Sequence, residues 1–256
     1  MKISVVIITY NEEDRLADAL ASCRDVAEEI LVCDSYSTDR TVAVAESGGA
    51  RVIQHRFSDY GSQKNFAMEK AAHEWVLNLD ADERLSRELK ASILRVKREG
   101  ESAASGFMIS RRAFYLGRWI RHSGWYPDRK LRLFRRSQAH WEGRIHERLA
   151  LEGTTNVLAG DILHFTYRDL ADHVARINRY TDFQAVELIR KSERGLLAKA
   201  LLLPPLTFLR HYVWRGGFRD GFAGLVIALL SAQGTALKYL KALERRRDGQ
   251  AGHHPD

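Results

Sequence analysis

Two aspartates one residue apart, Asp80 and Asp82, follow directly on the apolar run Trp75-Val76-Leu77-Asn78-Leu79 and are succeeded by Glu83. A buried strand that ends in this way delivers hard carboxylate oxygens to the edge of a sheet, where they suit a divalent ion that also holds substrate phosphates. A second reading stays open. Acidic residues favour the first turn of a helix, and Asp82-Glu83 would serve there if a helix began near Ser86.

Elements able to position these carboxylates lie upstream. Residues 3–8 form an apolar strand broken only by Ser4, followed by the polar loop Thr9-Tyr10-Asn11-Glu12 and by Leu16, Ala19 and Leu20 at helical spacing. Residues 30–33 read as a second strand ending in the polar stretch Asp34 to Asp39, residues 41–47 as a helix closed by Gly48-Gly49, and residues 51–54 as a third strand. Alternation of this kind makes an α/β domain whose ligands lie outside the carboxyl ends of the strands. The polar clusters at 9–12, 34–39 and 80–83 would then face one crevice. No Gly-x-Gly-x-x-Gly follows the first strand and no Gly-rich loop ends in Gly-Lys-Ser/Thr, which disfavours a dinucleotide fold or a P-loop. Phosphate charge must be met by a metal, by basic side chains, or by both. Gln63-Lys64-Asn65, between the third strand and a helix expected over 66–72, offers one such cation, or else an exposed lysine at a helix start.

Four stretches, in order, resemble the successive motifs of family 2 glycosyltransferases: Val5-Val6-Ile7-Ile8-Thr9-Tyr10-Asn11-Glu12, Asp34-Ser35-Tyr36-Ser37-Thr38-Asp39-Arg40-Thr41, Gln63-Lys64-Asn65 and Asp80-Ala81-Asp82-Glu83. The resemblance implies a GT-A fold, with a mixed, mainly parallel sheet, and sugar transfer from a nucleotide donor with inversion. It implies that Thr9, Tyr10, Asn11, Glu12 and Asp34 hold the nucleobase, and that Asp80, with Ala81 beside it, lies near the ribose. Asp82 would coordinate Mg²⁺ or Mn²⁺, and Lys64 would lie near the diphosphate. Ser35 departs from the commoner Asp-Asp pair, and the Gln-x-x-Arg-Trp signature of processive synthases is missing, so a non-processive enzyme fits better.

Later stretches, Arg132 to Arg136, Gly143 to Glu147 and Leu163-His164-Phe165 to His173, extend the likeness to bacterial lipopolysaccharide core β-1,4-glucosyltransferases over nearly the whole chain. That likeness implies UDP-glucose as donor and a heptose of a lipid-linked oligosaccharide as acceptor. A polyprenyl-phosphate acceptor is the alternative within the same chemistry. An attacking hydroxyl needs a base, and Glu147 in His146-Glu147 occupies the place of the family's Glu-Asp. It could also belong to a salt-bridge network with Arg144 and Arg148. Arg129, Lys130, Arg132, Arg135 and Arg136 are surface charges or contacts for a diphosphate or an anionic acceptor. Trp119, Trp125, Tyr126 and Trp141 are sugar platforms or core residues. His164 is a ligand near the phosphates or a histidine satisfied by backbone.

With a formal net charge of +7, the chain should favour polyanions or an anionic membrane. No nucleic-acid reader motif is present, so nucleic acid is not an expected partner. Cys23 and Cys33 read as reduced structural thiols, and no signal or transit peptide is expected before the first strand. The C-terminal third contains apolar stretches at 196–209, broken by Pro204-Pro205, and at 218–232, neither of which reads as a membrane span. Basic residues and Trp214 border them, as in interfacial helices on anionic lipid. A helical cap and a homodimer interface are the alternatives, as is a noncatalytic membrane-binding protein for the chain as a whole. The expected organisation is a catalytic GT-A domain over 1–175, a membrane-associating or acceptor-side helical extension over 176–243 and a flexible tail over 244–256. The expected location is the cytoplasmic face of the bacterial inner membrane.

Overall fold

The computed structural model of the chain describes residues 1–100, 103–143 and 148–250, the last three as helix backbone alone. Two compact units emerge: residues 1–112 with 127–165, and residues 113–126 with 166–256.

The first unit is built on strands β1 (Ile3–Thr9), β2 (Glu29–Asp34), β3 (Arg51–Gln54), β4 (Trp75–Asp80) and β5 (Glu83–Leu85). Helices α1 (Leu16–Cys23), α2 (Thr41–Ser47), α3 (Tyr60–Glu69) and α4 (Arg87–Glu99) are interspersed among them. Strands β6 (Gly106–Tyr115), β7 (Arg118–Trp119), β8 (Asp128–Arg135), β9 (Ala139–Glu142), β10 (Arg148–Leu151) and β11 (Thr155–His164) follow. The main sheet runs β3-β2-β1-β4-β8-β6-β11-β5. Its first four strands are parallel, and β8 joins β4 antiparallel. Because side chains alternate across a strand, an apolar run covered on both faces supplies two cores. Val5 and Ile7 pack with Leu16 and Leu20 of α1 and Leu89 and Ile93 of α4. Val6 faces the other way, with Ala67 and Met68 of α3. Leu77 and Leu79 against Val76 divide β4 in the same manner.

The chain winds outward from β1 to β3, then returns to place β4 on the other side of β1. This reversal opens a crevice at the carboxyl ends of β1 and β4. Asp82-Glu83 does not open a helix. Glu83 enters β5, and Ser86 caps α4 by accepting from Leu89 N at 3.2 Å. The helix expected over 66–72 starts earlier, at Tyr60, because Asp59 caps it through Ser62 N at 2.8 Å; Gln63-Lys64-Asn65 therefore lies inside α3.

In the second unit, β7 pairs with the end of β6, and three helices follow: α5 (Leu170–Arg190), α6 (Leu196–Leu209) and α7 (Gly221–Gln250). Pro204 and Pro205 do not break α6, which stays helical through both and continues as a π-helical turn over Arg210–Trp214. Each proline removes one backbone donor, and packing of Leu196 and Ala200 with Tyr239 and Ala242 of α7 holds the segment in place. The stretch Gly217–Arg247 is long and apolar enough to cross a membrane by length and composition, contrary to the sequence expectation, and 33% of its most apolar window is buried. The sequence pattern had divided it at the first charged residue, whereas the helix runs on.

Gly160 shows how tightly β11 meets α4. Its φ is +92°, and a Cβ there would lie 2.2 Å from Leu89 N. Gly160→Ala should therefore lower unfolding stability by about 2 kcal/mol or more through backbone strain and overpacking, seen as a drop in the denaturant midpoint.

Candidate functional site

A cleft of about 380 Å³ lies at the carboxyl ends of β1 and β4. Thr9, Tyr10 and Glu12 reach it from the loop after β1, Ser35 from the loop after β2, and Phe57, Tyr60 and Lys64 from the α3 region. Asp80, Ala81 and Asp82 form its floor with His164 at the end of β11. Three exposed aromatic rings, Tyr10, Phe57 and Tyr60, stand at its mouth, suited to stacking on a flat base.

Asn11 and Asp34 brace the wall. Asn11, in the left-handed region at φ 55°, takes Ser37 Oγ on its N–H at 2.8 Å and accepts from Thr38 N at 2.9 Å. Asp34 is fully buried and accepts from Thr9 Oγ1 at 3.1 Å and Ser37 N at 2.8 Å. These bonds lock the loops after β1 and β2 together. Gln63, also buried, donates to Ser35 Oγ at 3.1 Å and to His55 O at 3.3 Å.

The charge arrangement beneath the floor was not legible from motif spacing. Arg132 of β8 is buried, and its guanidinium donates to Asn78 Oδ1 at 2.9 Å, Asp80 Oδ2 at 3.0 Å and Glu83 Oε1 at 2.8 Å. Glu83 Oε2 in turn accepts from Asp80 N at 3.0 Å. Burial alone would raise the Asp80 pKa, but Arg132, Lys64 and Arg111 hold its carboxyl well below the ordinary range. Burial and the charge of Asp80 push Glu83 upward against Arg132, while both carboxylates raise the guanidinium and keep it charged. Lys64 is buried as well, with Nζ 3.7 Å from Asp80 Oδ1 and 4.5 Å above the Trp141 ring. Asn65 clamps that tryptophan from both sides of its peptide, at 2.9 Å each. Trp141 is thus buried under a cation and packed edge-on to Phe134, not an open sugar platform.

Asp82 differs from Asp80. Its Oδ2 lies 3.5 Å from Arg15 Nη1 and 3.3 Å from His164 Nε2, a looser setting that leaves the carboxylate lining the cleft. No group of three His, Cys, Asp or Glu side chains able to hold a metal occurs among the described residues. Magnesium-type ions need no such cage, since they are commonly held by one or two carboxylates plus substrate phosphates. The Asp82 carboxylate oxygen in the cleft suits Mg²⁺ or Mn²⁺ in that manner.

Of the residues singled out in the sequence, Thr9, Tyr10, Glu12, Lys64, Asp80, Ala81 and Asp82 meet in the cleft. Glu147 and His146 lie outside the described residues. Trp119, edge-on to Phe114, and Trp125, beside Tyr115, Tyr167 and His173, belong to the second unit's own aromatic packing. Arg15 was not singled out in the sequence; Arg132 was named there only as a surface charge or anion contact and Glu83 only as a possible helix-start residue, although one signal of their pairing existed: Asn78 inside a buried strand had to find a polar partner.

Residues 4–150 match Glycosyl transferase family 2, and the chain belongs to that family. Lipopolysaccharide core biosynthesis glycosyltransferase LpsC of Rhizobium meliloti (strain 1021) is 29% identical over 253 residues, 96% of this chain and 93% of that protein. An uncharacterized glycosyltransferase of Rickettsia bellii (strain RML369-C) is 30% identical over 260 residues, 95% of this chain and 86% of that protein. The crystal structure of S. aureus TarS 1-349 in complex with UDP-GlcNAc aligns with a TM-score of 0.49 at 15% identity, covering 97% of this chain and 92% of that one. The chain is a glycosyltransferase with a GT-A-like fold.

Removing Arg132 should strip the buried Glu83 and the partly buried Asp80 of their main cation, leaving Arg111 3.5 Å from Glu83 and Lys64 3.7 Å from Asp80. Arg132→Met is expected to cost about 3–5 kcal/mol. With the guanidinium gone, its lowering effect is lost and the Glu83 pKa, already raised by burial and Asp80, rises further, so the variant's native state binds more protons than that of the wild type. The loss should therefore shrink as pH falls from 7 toward 5. Denaturant melts across that range, with Arg132→Met/Glu83→Gln as the partial rescue, check both the size and the sign.

Proposed function

We propose that this glycosyltransferase moves a hexose, glucose from UDP-glucose being the donor that the sequence resemblance implies, to a hydroxyl of a lipid-linked core oligosaccharide. The observation that carries the reading is the cleft at the ends of β1 and β4, where Asp82 lines the floor beneath exposed aromatic rings. The name of the LpsC relative, a lipopolysaccharide core biosynthesis enzyme, supports the acceptor class.

The uracil would lie among Thr9, Tyr10, Asn11, Glu12 and the Asp34-braced loop, with the ribose near Asp80. Asp82 would hold Mg²⁺ or Mn²⁺, aided by His164. That ion, when bound, supplies positive charge to the leaving diphosphate. Lys64 and Arg132 keep Asp80 ionised and the floor rigid, while Lys64 adds charge on the diphosphate side. Transfer is a single displacement. The acceptor hydroxyl gives its proton to Glu147, its oxygen bonds the anomeric carbon from the far face, and the bond from that carbon to the β-phosphate oxygen breaks with its electron pair leaving on UDP. The anomeric configuration inverts.

The helical unit favours attachment to an anionic membrane face. Leu201, Leu202, Leu206, Val213, Trp214, Phe218 and Phe222 are exposed, with Arg210, Arg215 and Arg219 exposed among them, as in an apolar face that enters the headgroup region between basic side chains. Such attachment would place a bacterial enzyme at the cytoplasmic face of the inner membrane, where a lipid-linked acceptor is presented. A polyprenyl-phosphate acceptor would use the same surface, and a homodimer would cover it.

Two variants separate the roles. Asp82→Ala should abolish the metal-dependent part of UDP-sugar binding in calorimetry, whereas Glu147→Gln should keep donor binding and slow transfer by about 10²- to 10⁴-fold. Unchanged metal dependence in the first, or unchanged transfer in the second, would reject the respective assignment. For the membrane face, wild type should float with phosphatidylglycerol vesicles, and Arg210→Gln/Arg215→Gln/Arg219→Gln should float less. Failure of folded wild type to float with any vesicle would favour a packed or dimeric face.

A further inference from the structure

Beside the donor cleft, and sharing Lys64 and Asp80 with it, the first unit contains a second cavity of about 690 Å³. Six cations line it: Lys64, Arg111, Arg129, Lys130, Arg132 and Arg148. Among the described residues, three carboxylates pair with them. Asp80 and Glu83 are held by Arg132, and Asp128 accepts from Arg111 at 2.8 Å and lies 3.2 Å from Lys130. Among the described residues, three positive charges therefore remain in excess. Arg129 and Arg148 make no ion pair or side-chain hydrogen bond among the described residues, even though Arg148 stands opposite Glu142 on the β9–β10 ladder.

The cavity also has an apolar side, formed by Met108, Leu131, Leu149 and Leu151. Cations at its base, Lys64 and Arg132, are buried, while Arg129, Lys130 and Arg148 form an exposed rim. A polar ring carrying one anionic substituent matches this lining: its C–H face meets the leucines and its charge meets the rim arginines through charge-assisted hydrogen bonds.

Building on the donor reading above, we propose that this cavity is the acceptor subsite and that it selects a sugar bearing a phosphate or a carboxylate. Arg129 and Arg148, without an ion pair among the described residues, have lower free energy when an anion arrives, and a neutral sugar gains none of that. The subsite thus sets acceptor specificity by charge, separately from the donor.

The test uses the full chain saturated with UDP and Mn²⁺, into which glucose 6-phosphate, glucuronate and glucose are titrated by calorimetry. Binding of at least one charged sugar, with glucose at least tenfold weaker, is expected; which charged sugar binds identifies phosphate or carboxylate as the recognised group. Arg129→Gln/Arg148→Gln should weaken the charged sugar at least tenfold and leave UDP affinity unchanged. Equal binding of glucose, or charged-sugar affinity unaltered in the double variant, would overturn the proposal. So would a loss of UDP affinity in that variant, because it would show that the donor's diphosphate uses these arginines. If wild type fails to bind UDP at all, the donor reading falls and this one with it.

Discussion

One buried guanidinium organises the floor of the cleft. Arg132 reaches from β8 to the ends of two other strands and binds Asn78, Asp80 and Glu83 together. Desolvating three charges is costly, and such clusters are weak evidence for net stability. Their geometric effect is definite, however. With Asp80 fixed on one side and Glu83 on the other, the two-residue link Ala81-Asp82 between β4 and β5 has little freedom. Ala81 is buried, so the turn is pinned from beneath, and Asp82 is the carboxylate left facing the cleft with looser partners.

This gives the Asp-x-Asp spacing a physical reading. The first aspartate is neutralised by protein cations and holds the strand end; the second lines the cleft. Lys64 links the two sides, since it is near Asp80, stacked on Trp141 and part of the cleft wall. The positive surplus of the chain is therefore not spread only over its surface. Part of it lines the cavity beside the cleft.

The parallel strands and the three polar clusters were legible in the sequence because continuous apolar runs ended abruptly in polar residues, and doubly covered strands need no other signal. The loops after β1 and β2 were legible as polar walls of one crevice, whereas the bonds of Asn11 and Asp34 to Ser37, Thr38 and Thr9, which brace those loops, were not. Arg132 and Glu83 were not legible as partners. They are about fifty residues apart, and only the antiparallel pairing of β8 with β4 brings them together. The start of α3 was misplaced for a local reason, the Asp59 cap, and the continuity of α6 through two prolines for a tertiary one, its packing on α7.

The most direct test of the central claim is diffraction at the manganese absorption edge from crystals grown with UDP and Mn²⁺. The account predicts an anomalous peak about 2 Å from an Asp82 carboxylate oxygen, with the diphosphate bridging it and Asp80 still bound to Arg132. A peak on other carboxylates with Asp82 unligated, or UDP bound away from the ends of β1 and β4, would contradict it.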